Sequence, residues 1–386
     1  MQAELREQGL DGWLFFDHHQ RDPLAYRVLR FQPAQQVTRR WYYFVPAEGQ
    51  PVRIVHRIES HVLDPLPGSL VAYAGWSAQR AALASCLSGS KRIAMQYSAD
   101  CAVPYVAMVD AGTVELIRSL GVEVASSADL VQIFEATWTA EQFQQHRQAG
   151  VLVDAIRRSA FQFAGDRLRQ GQTVGEIDVQ RFILEAFDRE GLFTDHGPIV
   201  AVNDHASDPH YEPSPEKSRL IQKGDLLLID LWAKLRQPGA VYYDITWTGY
   251  CGAVPPDRMQ NVFRVVTGAR DAAINRVQSA ISGHQPLFGF QVDDAARGHI
   301  QAAGLEEYFF HRTGHSIGED VHGTGANMDN LETHDERRVI PSTCFSIEPG
   351  VYLPEFGVRS EINMFIGLDE AVVTGEIQRE MVIVGG

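Results

Sequence analysis

Five residues spread over the last third of the chain have side chains able to hold metal ions. They are Asp230 in LLLID, Asp244 in VYYDIT, His315 in RTGHSIG, Glu348 in FSIEPG and Glu361 in VRSEIN. Most stand at or beside apolar, strand-like runs, where a charge is costly unless something binds it. Four carboxylates and one imidazole form an oxygen-rich donor set that suits manganese, iron(II), cobalt or zinc. The absence of cysteine from the set argues against a structural zinc site. Bridging carboxylates can hold two cations roughly 3.5–4 Å apart and activate the water between them. Taken singly, Asp230 or Asp244 reads as a strand-end turn cap; five such residues in apolar or glycine-flanked sequence read as a two-metal site.

Three histidines lie where chemistry would need them: His210 in DPHYEP, His311 in FFHRTG and His322 in EDVHGTG. An imidazole titrating near pH 6.5 can exchange protons or donate to an anion at neutral pH. Arg359, two residues before Glu361, either clamps a substrate carboxylate through its planar fork or neutralises excess ligand charge. His146, His284, His299 and His334 read as surface or satisfied polar residues. His18 and His19 in DHHQRDP read as a solvated loop or an interface contact. Gly314-His315-Ser316-Ile317-Gly318 also satisfies GxSxG, but Glu319 to Gly325 is a poor helix start for a nucleophile elbow and the large doubly wound scaffold is missing.

The positioning elements follow from residue spacing. Leu226 to Leu231 is an apolar strand interrupted by Asp230, turning through Arg236 to Gly239 into a strand from Val241 to Thr248. Such a hairpin places Asp230 and Asp244 on neighbouring strands. Cys344 to Glu348 leads through Pro349-Gly350 towards a strand from Val358 to Met364, where alternation puts Arg359, Glu361 and Asn363 on one face. Thr139 with Gln142 forms a capping box opening a helix over 140–169, and Thr173 with Glu176 opens another ending near Gly191. Further helices are expected over 256–282 and 292–303.

Residues 1–130 alternate strands and helices. Strands are expected at 12–16, 41–45, 52–56, 92–96 and 122–125, with helices near 77–87 and 105–119. The boundary falls at about residue 135, giving domains 1–135 and 136–386. The formal net charge of −15 disfavours nucleic acid or an anionic membrane as partner. No signal peptide or apolar run approaching ~18 residues stands out, so a cytoplasmic protein is expected. Cys86, Cys101, Cys251 and Cys344 are scattered and read as buried reduced thiols.

With these residues assembled, 140–386 resembles the pita-bread metallopeptidases: Xaa-Pro dipeptidase (prolidase), aminopeptidase P and methionine aminopeptidase, with the metal-free creatinase. The family order of Asp, Asp, a Gly-His-x-x-Gly histidine, Glu-Pro-Gly and a closing Glu fits Asp230, Asp244, His315, Glu348 and Glu361. The resemblance implies an α+β pita-bread domain preceded by a smaller α/β creatinase-like domain, in a homodimer. It implies that Asp244 and Glu361 bridge two divalent metals, manganese foremost, with cobalt, zinc or iron as alternatives. Asp230 would chelate one metal and His315 and Glu348 the other, while His210, His311 and His322 line the pocket. The implied reaction is hydrolysis of Xaa-Pro dipeptides or short Xaa-Pro peptides by a metal-bridged hydroxide. Glu348 would be the base, with Arg359 near the substrate. Departures at the rim are Leu231-Trp232 where the family often has a glycine, Gly323 after His322, and the stretch 323–338. The alternatives are a metal-free creatinase-like C–N hydrolase, a non-catalytic peptide-binding module, and hydrolysis of a modified dipeptide, C–O or C–P bond.

Overall fold

Residues 1–32 and 36–386 are described by the computed structural model, and they divide into two units, Met1–Glu135 and Ala136–Gly386. In the first unit the run GWLFFD forms β1 (Gly12–Asp17), buried at every position. Trp13 and Phe15 enter one core and Leu14 and Phe16 another, so both faces of the sheet are covered. Beside it run β2 (Trp41–Pro46), β3 (Val52–His56), β4 (Ser69–Tyr73), β5 (Arg92–Met95) and β6 (Glu123–Ser126), in the spatial order β4-β3-β2-β1-β5-β6. β2 and β3 pair antiparallel, while β4 joins β3 in parallel.

Helices α1 (Gln2–Glu7), α2 (Pro23–Leu29), α3 (Trp76–Cys86), α4 (Ala111–Arg118) and α5 (Ala128–Val131) complete this unit. The DHHQRDP loop ends earlier than its polarity suggests. Asp22 caps α2 by accepting from the Ala25 N–H, and Pro23 takes the first helical position. The helix expected from residue 105 begins instead at Ala111, because Asp110 caps it and Pro104–Val106 forms a separate 3-10 turn.

The second unit opens with α6 (Ala140–Arg169), started by the Thr139–Gln142 capping box. α7 (Glu176–Arg189) starts from Gly175 rather than Thr173, since the Gly175 N–H donates to Asp178. Glu176 turns inward instead, accepting from the Val202 and Arg219 N–H groups and the Tyr211 hydroxyl. β7 (Leu192–Phe193), β8 (Ile199–Val202), β9 (Leu226–Leu235) and β10 (Tyr243–Cys251) follow, then α8 (Asp257–Ser282) and α9 (Gly289–Ala302), which begins three residues before its expected start. The chain ends in β11 (Ser316–Ile317), β12 (Cys344–Ile347), β13 (Gly350–Leu353), β14 (Phe356–Arg359), β15 (Ile362–Ile366), β16 (Ala371–Val373) and β17 (Val382–Val384).

One sheet runs β17-β10-β9-β7 with β8 also on β9; a second runs β11-β12-β15-β16; β13 and β14 form a hairpin. The strand expected over 358–364 is broken at Ser360–Glu361 into β14 and β15. Alternation along β9 explains the layering. Leu227, Ile229, Leu231 and Ala233 pack into the core containing α6 and α7 residues, while Leu226 and Leu228 face the core of α8 and α9. Asp230 and Trp232 continue that second face. All four cysteines are free thiols, but Cys101 is exposed and Cys86 half-buried, so only Cys251 and Cys344 are the buried thiols expected. No helix of the described residues is long and apolar enough to cross a membrane.

Candidate metal centre

β9 and β10 pair antiparallel with Thr246 opposite Asp230 and Asp244 opposite Trp232. Because side chains alternate, all four share one face, and that face carries polar groups where the strand's other face is apolar. Asn363 fixes Asp244 from β15: its amide donates to the Asp244 carbonyl at 2.6 Å and accepts from the Asp244 N–H at 3.1 Å. Glu361 is tied in the same way. Its N–H donates to the Thr246 carbonyl at 3.1 Å, and the Thr246 hydroxyl donates to Glu361 Oε2 at 2.8 Å. The break between β14 and β15 is what lets this backbone reach across to β10.

His315 stands between Gly314 and the start of β11. A Cβ added at Gly314 would lie 1.9 Å from the Ser346 carbonyl oxygen, so only glycine permits this approach. The same closeness lets the His315 N–H donate to Ser346 Oγ at 2.9 Å. His315 Nδ1 faces the Ser316 carbonyl at 3.1 Å. A carbonyl only accepts, which assigns the ring proton to Nδ1 and leaves the Nε2 lone pair facing the acids. Nε2 stands 3.5 Å from Asp244 Oδ2 and 3.4 Å from Glu348 Oε1. Ser346 in turn donates to Glu348 Oε1 at 3.1 Å.

Ligand atoms of Asp244, His315 and Glu361 lie within 4.8 Å of one another, all on buried residues. Asp230 Oδ1, Asp244 Oδ1 and Glu361 Oε1 are buried with no hydrogen-bond partner. Native interiors rarely leave such atoms unsatisfied, and three in one cluster fit a site completed by cations. Electrostatics agree. Burial, reinforced by the neighbouring acids, pushes the Asp244 and Glu361 carboxyls well above the ordinary range. Glu348 is raised by burial against the opposing pull of His315 and Arg359, and burial lowers His315. The cluster is short of positive charge.

One cation of the protein's own is present. Arg359 spreads its fork over three partners: Nη2 to Asp230 Oδ2 at 2.5 Å, Nη1 to the Tyr352 hydroxyl at 3.0 Å, and Nε to Thr246 Oγ1 at 3.1 Å. Of its two expected roles, neutralising ligand charge is the one this geometry carries. His322 meets the His315 ring edge-on at 4.4 Å between centroids; His315 and burial together bring it down to about 3. His210 is exposed, its backbone N–H donating to Asp208 Oδ1.

His311 stands one layer back. Its Nε2 pairs with the Tyr352 hydroxyl at 2.7 Å and its Nδ1 with the Arg312 carbonyl at 2.6 Å. It reaches the cluster only through Tyr352 and Arg359. Thr246, Ser346 and Tyr352 belong to the site without having been singled out in the sequence. Thr246 and Ser346 each lie two residues from an acid of the set, the strand spacing that marks a shared face; Tyr352 carries no comparable signal.

Buried acids on β9, on β10 and just before β15, each with one oxygen that no hydrogen bond satisfies, mark a metal-binding α+β protein of the pita-bread class. The comparisons place it within that class. Residues 144–367 match Metallopeptidase family M24. Over 270 residues the chain is 28% identical to the probable dipeptidase PepE of Mycobacterium tuberculosis, spanning 70% of this chain and 66% of that one. Over 244 residues it is 30% identical to the Xaa-Pro dipeptidase of Lactobacillus helveticus, spanning 62% and 59%. The chain thus spans slightly under two thirds of the length of these relatives. The fold matches the crystal structure of dipeptidase PepE from Mycobacterium ulcerans with a TM-score of 0.72 at 24% identity, covering 99% and 95% of the two chains. The prolidase of Pyrococcus furiosus matches with a TM-score of 0.61 at 19% identity, covering 98% and 100%. The chain belongs to metallopeptidase family M24.

Proposed function

We propose that this protein hydrolyses the peptide bond of Xaa-Pro dipeptides and short Xaa-Pro peptides with two divalent cations. The observation that carries this reading is the trio of orphaned buried oxygens on Asp230, Asp244 and Glu361 beside the free Nε2 of His315. Asp230, Asp244, His315, Glu348 and Glu361 would hold the cations, with Asp244 and Glu361 shared between them. When bound, such cations polarise the scissile carbonyl and acidify the attacking water. Manganese is the metal we favour for this oxygen-rich set, with cobalt, zinc or iron as substitutes. The proline preference is supported by the names of the Lactobacillus and other relatives.

Glu348 is the proton carrier. Ser346 holds its Oε1, leaving Oε2 to take the water's proton and deliver it to the departing proline nitrogen. His322, kept neutral, can donate an N–H to the developing oxyanion, and His210 stands at the same mouth. Arg359 with Tyr352 and His311 balances the charge of Asp230. We take the enzyme as a cytoplasmic homodimer whose first unit is the creatinase-like domain. The test is turnover of Xaa-Pro dipeptides and tripeptides after metal removal, with and without added manganese. Manganese-restored hydrolysis with dipeptides preferred is expected. No stimulated hydrolysis of either would reject the reading.

A further inference from the structure

The first unit contains a cavity of about 720 Å³ built from its own residues, a volume in the range of small-molecule sites. Arg21, Arg39, Arg40, His18, His19 and His56 line it. The single acid at its wall, Asp110, is engaged in capping α4 through the Thr113 N–H and hydroxyl. Such a concentration of basic groups runs against the chain's net charge of −15.

Nearby acids that would ordinarily neutralise these arginines are used on backbone instead. Asp17 accepts from the N–H groups of Gln20, Arg21 and Asp22 at 2.9, 2.7 and 3.0 Å, and from the Tyr26 hydroxyl at 2.7 Å. That grip holds His19 and Gln20 at φ 64° and 54°, a conformation costly for non-glycine residues. Glu59 likewise accepts from the N–H groups of Thr38 and Arg39 at 2.9 and 3.0 Å. The two loops are thereby fixed, and their arginines bond only within them: Arg21 to the His18 carbonyl and ring, Arg39 to the Thr38 carbonyl and hydroxyl. The Arg40 guanidinium has no hydrogen-bond partner among the described residues, although its carbonyl is held by the Tyr73 hydroxyl at 2.6 Å.

A helix terminus adds donors. α3 begins at the cavity wall with Gly75 as its N-cap, no capping side chain and no acid in its first turn. The N–H groups of Trp76, Ser77 and Ala78 therefore lack acceptors among the described residues, the condition under which a helix N-terminus receives an anion. Gln79, only 2% exposed, lines the cavity with one end of its amide paired to the Tyr42 hydroxyl at 2.5 Å and the other end unpartnered. The end that makes this bond is Nε2, which donates to the Tyr42 hydroxyl. Trp76, 76% exposed, forms an apolar rim.

We propose that this cavity binds a small molecule carrying a dianionic oxyanion group, either a phosphate or a pair of carboxylates. The test is calorimetric titration of the full-length, metal-loaded protein at pH 7.5 with sodium phosphate in one arm and sodium succinate in the other. Trp76 fluorescence is followed in parallel. Saturable one-to-one binding of at least one anion is expected, and the arm that binds identifies the chemistry. The double variant Arg39→Gln/Arg40→Gln should weaken it by about tenfold or more, in line with the loss of charge-assisted hydrogen bonds. Both side chains are exposed, so the fold should survive, which an unchanged melting temperature would verify. Arg147→Gln, an exposed change in the other unit, should leave binding unaltered. No saturable binding of either anion, or equal binding by the double variant, would overturn the proposal.

Discussion

Arg359 donates to Asp230 Oδ2 at 2.5 Å while Asp230 Oδ1, on the same carboxylate, has no partner. The protein's own cation satisfies one oxygen and leaves the other for the cation proposed to bind there. Replacing Arg359 by Met strands a buried carboxylate, a loss of roughly 3–5 kcal/mol for a broken buried pair. The urea midpoint of the metal-free protein should fall accordingly, and the deficit should shrink with saturating manganese because the metal supplies the missing charge. An equal deficit in both forms would show that Arg359 plays no part in the charge balance.

Glu348→Gln keeps the size of the side chain and an oxygen that can face the cluster, but it removes the group that accepts the proton. Turnover of an Xaa-Pro dipeptide should drop by roughly 10²–10⁴-fold, the range for loss of a positioned acid–base group, with much of the bound metal retained. Near-wild-type kcat would reassign the base.

Ser346 joins two members of the set, accepting from the His315 N–H and donating to Glu348 Oε1. Ser346→Ala leaves that N–H without its acceptor in a fully buried position. A cost of about 1–3 kcal/mol per unsatisfied group is expected. The effect should appear mainly in kcat, since Glu348 loses its orientation, with KM little changed. A pure KM effect would place Ser346 outside the reacting geometry.

His146 offers a check on stability independent of the metal. It is fully buried, with Nδ1 at 2.7 Å from the Tyr242 carbonyl and Nε2 at 2.7 Å from Thr374 Oγ1, and burial lowers it to about 4. Its folded pKa lies below the unfolded value near 6.5, so unfolding takes up a proton between these limits. Stability from this group is complete above about pH 6.5 and is lost as pH falls towards 4. His146→Gln should flatten the dependence of the melting temperature in that window. An unchanged slope would refute the assignment.

The sequence made the acids readable because each interrupts or borders an apolar strand, and the β9–β10 pairing then follows from their hairpin. Arg359 does meet β9 and β10, and Glu361 and Asn363 meet β10, yet through a chain broken at Ser360–Glu361 rather than one continuous strand. What alternation could not supply was contact between strands distant in sequence. Tyr352 reaches Arg359 only because the β13–β14 hairpin folds back, with Gly350 opposite Arg359. β4 escaped because four of its five residues are exposed, leaving no buried periodicity to detect. By contrast α2 was announced by Asp22-Pro23, a cap followed by a proline at the first helical position. That signal was hidden inside a polar run.

The most direct measurement is metal stoichiometry by titration into the stripped protein, comparing wild type with Asp244→Asn. Two manganese ions per wild-type chain are expected, and one or none when the oxygen shared between both positions is lost. A wild-type chain that takes up no metal saturably, or a variant that takes up as much as the wild type, would contradict a paired-cation centre.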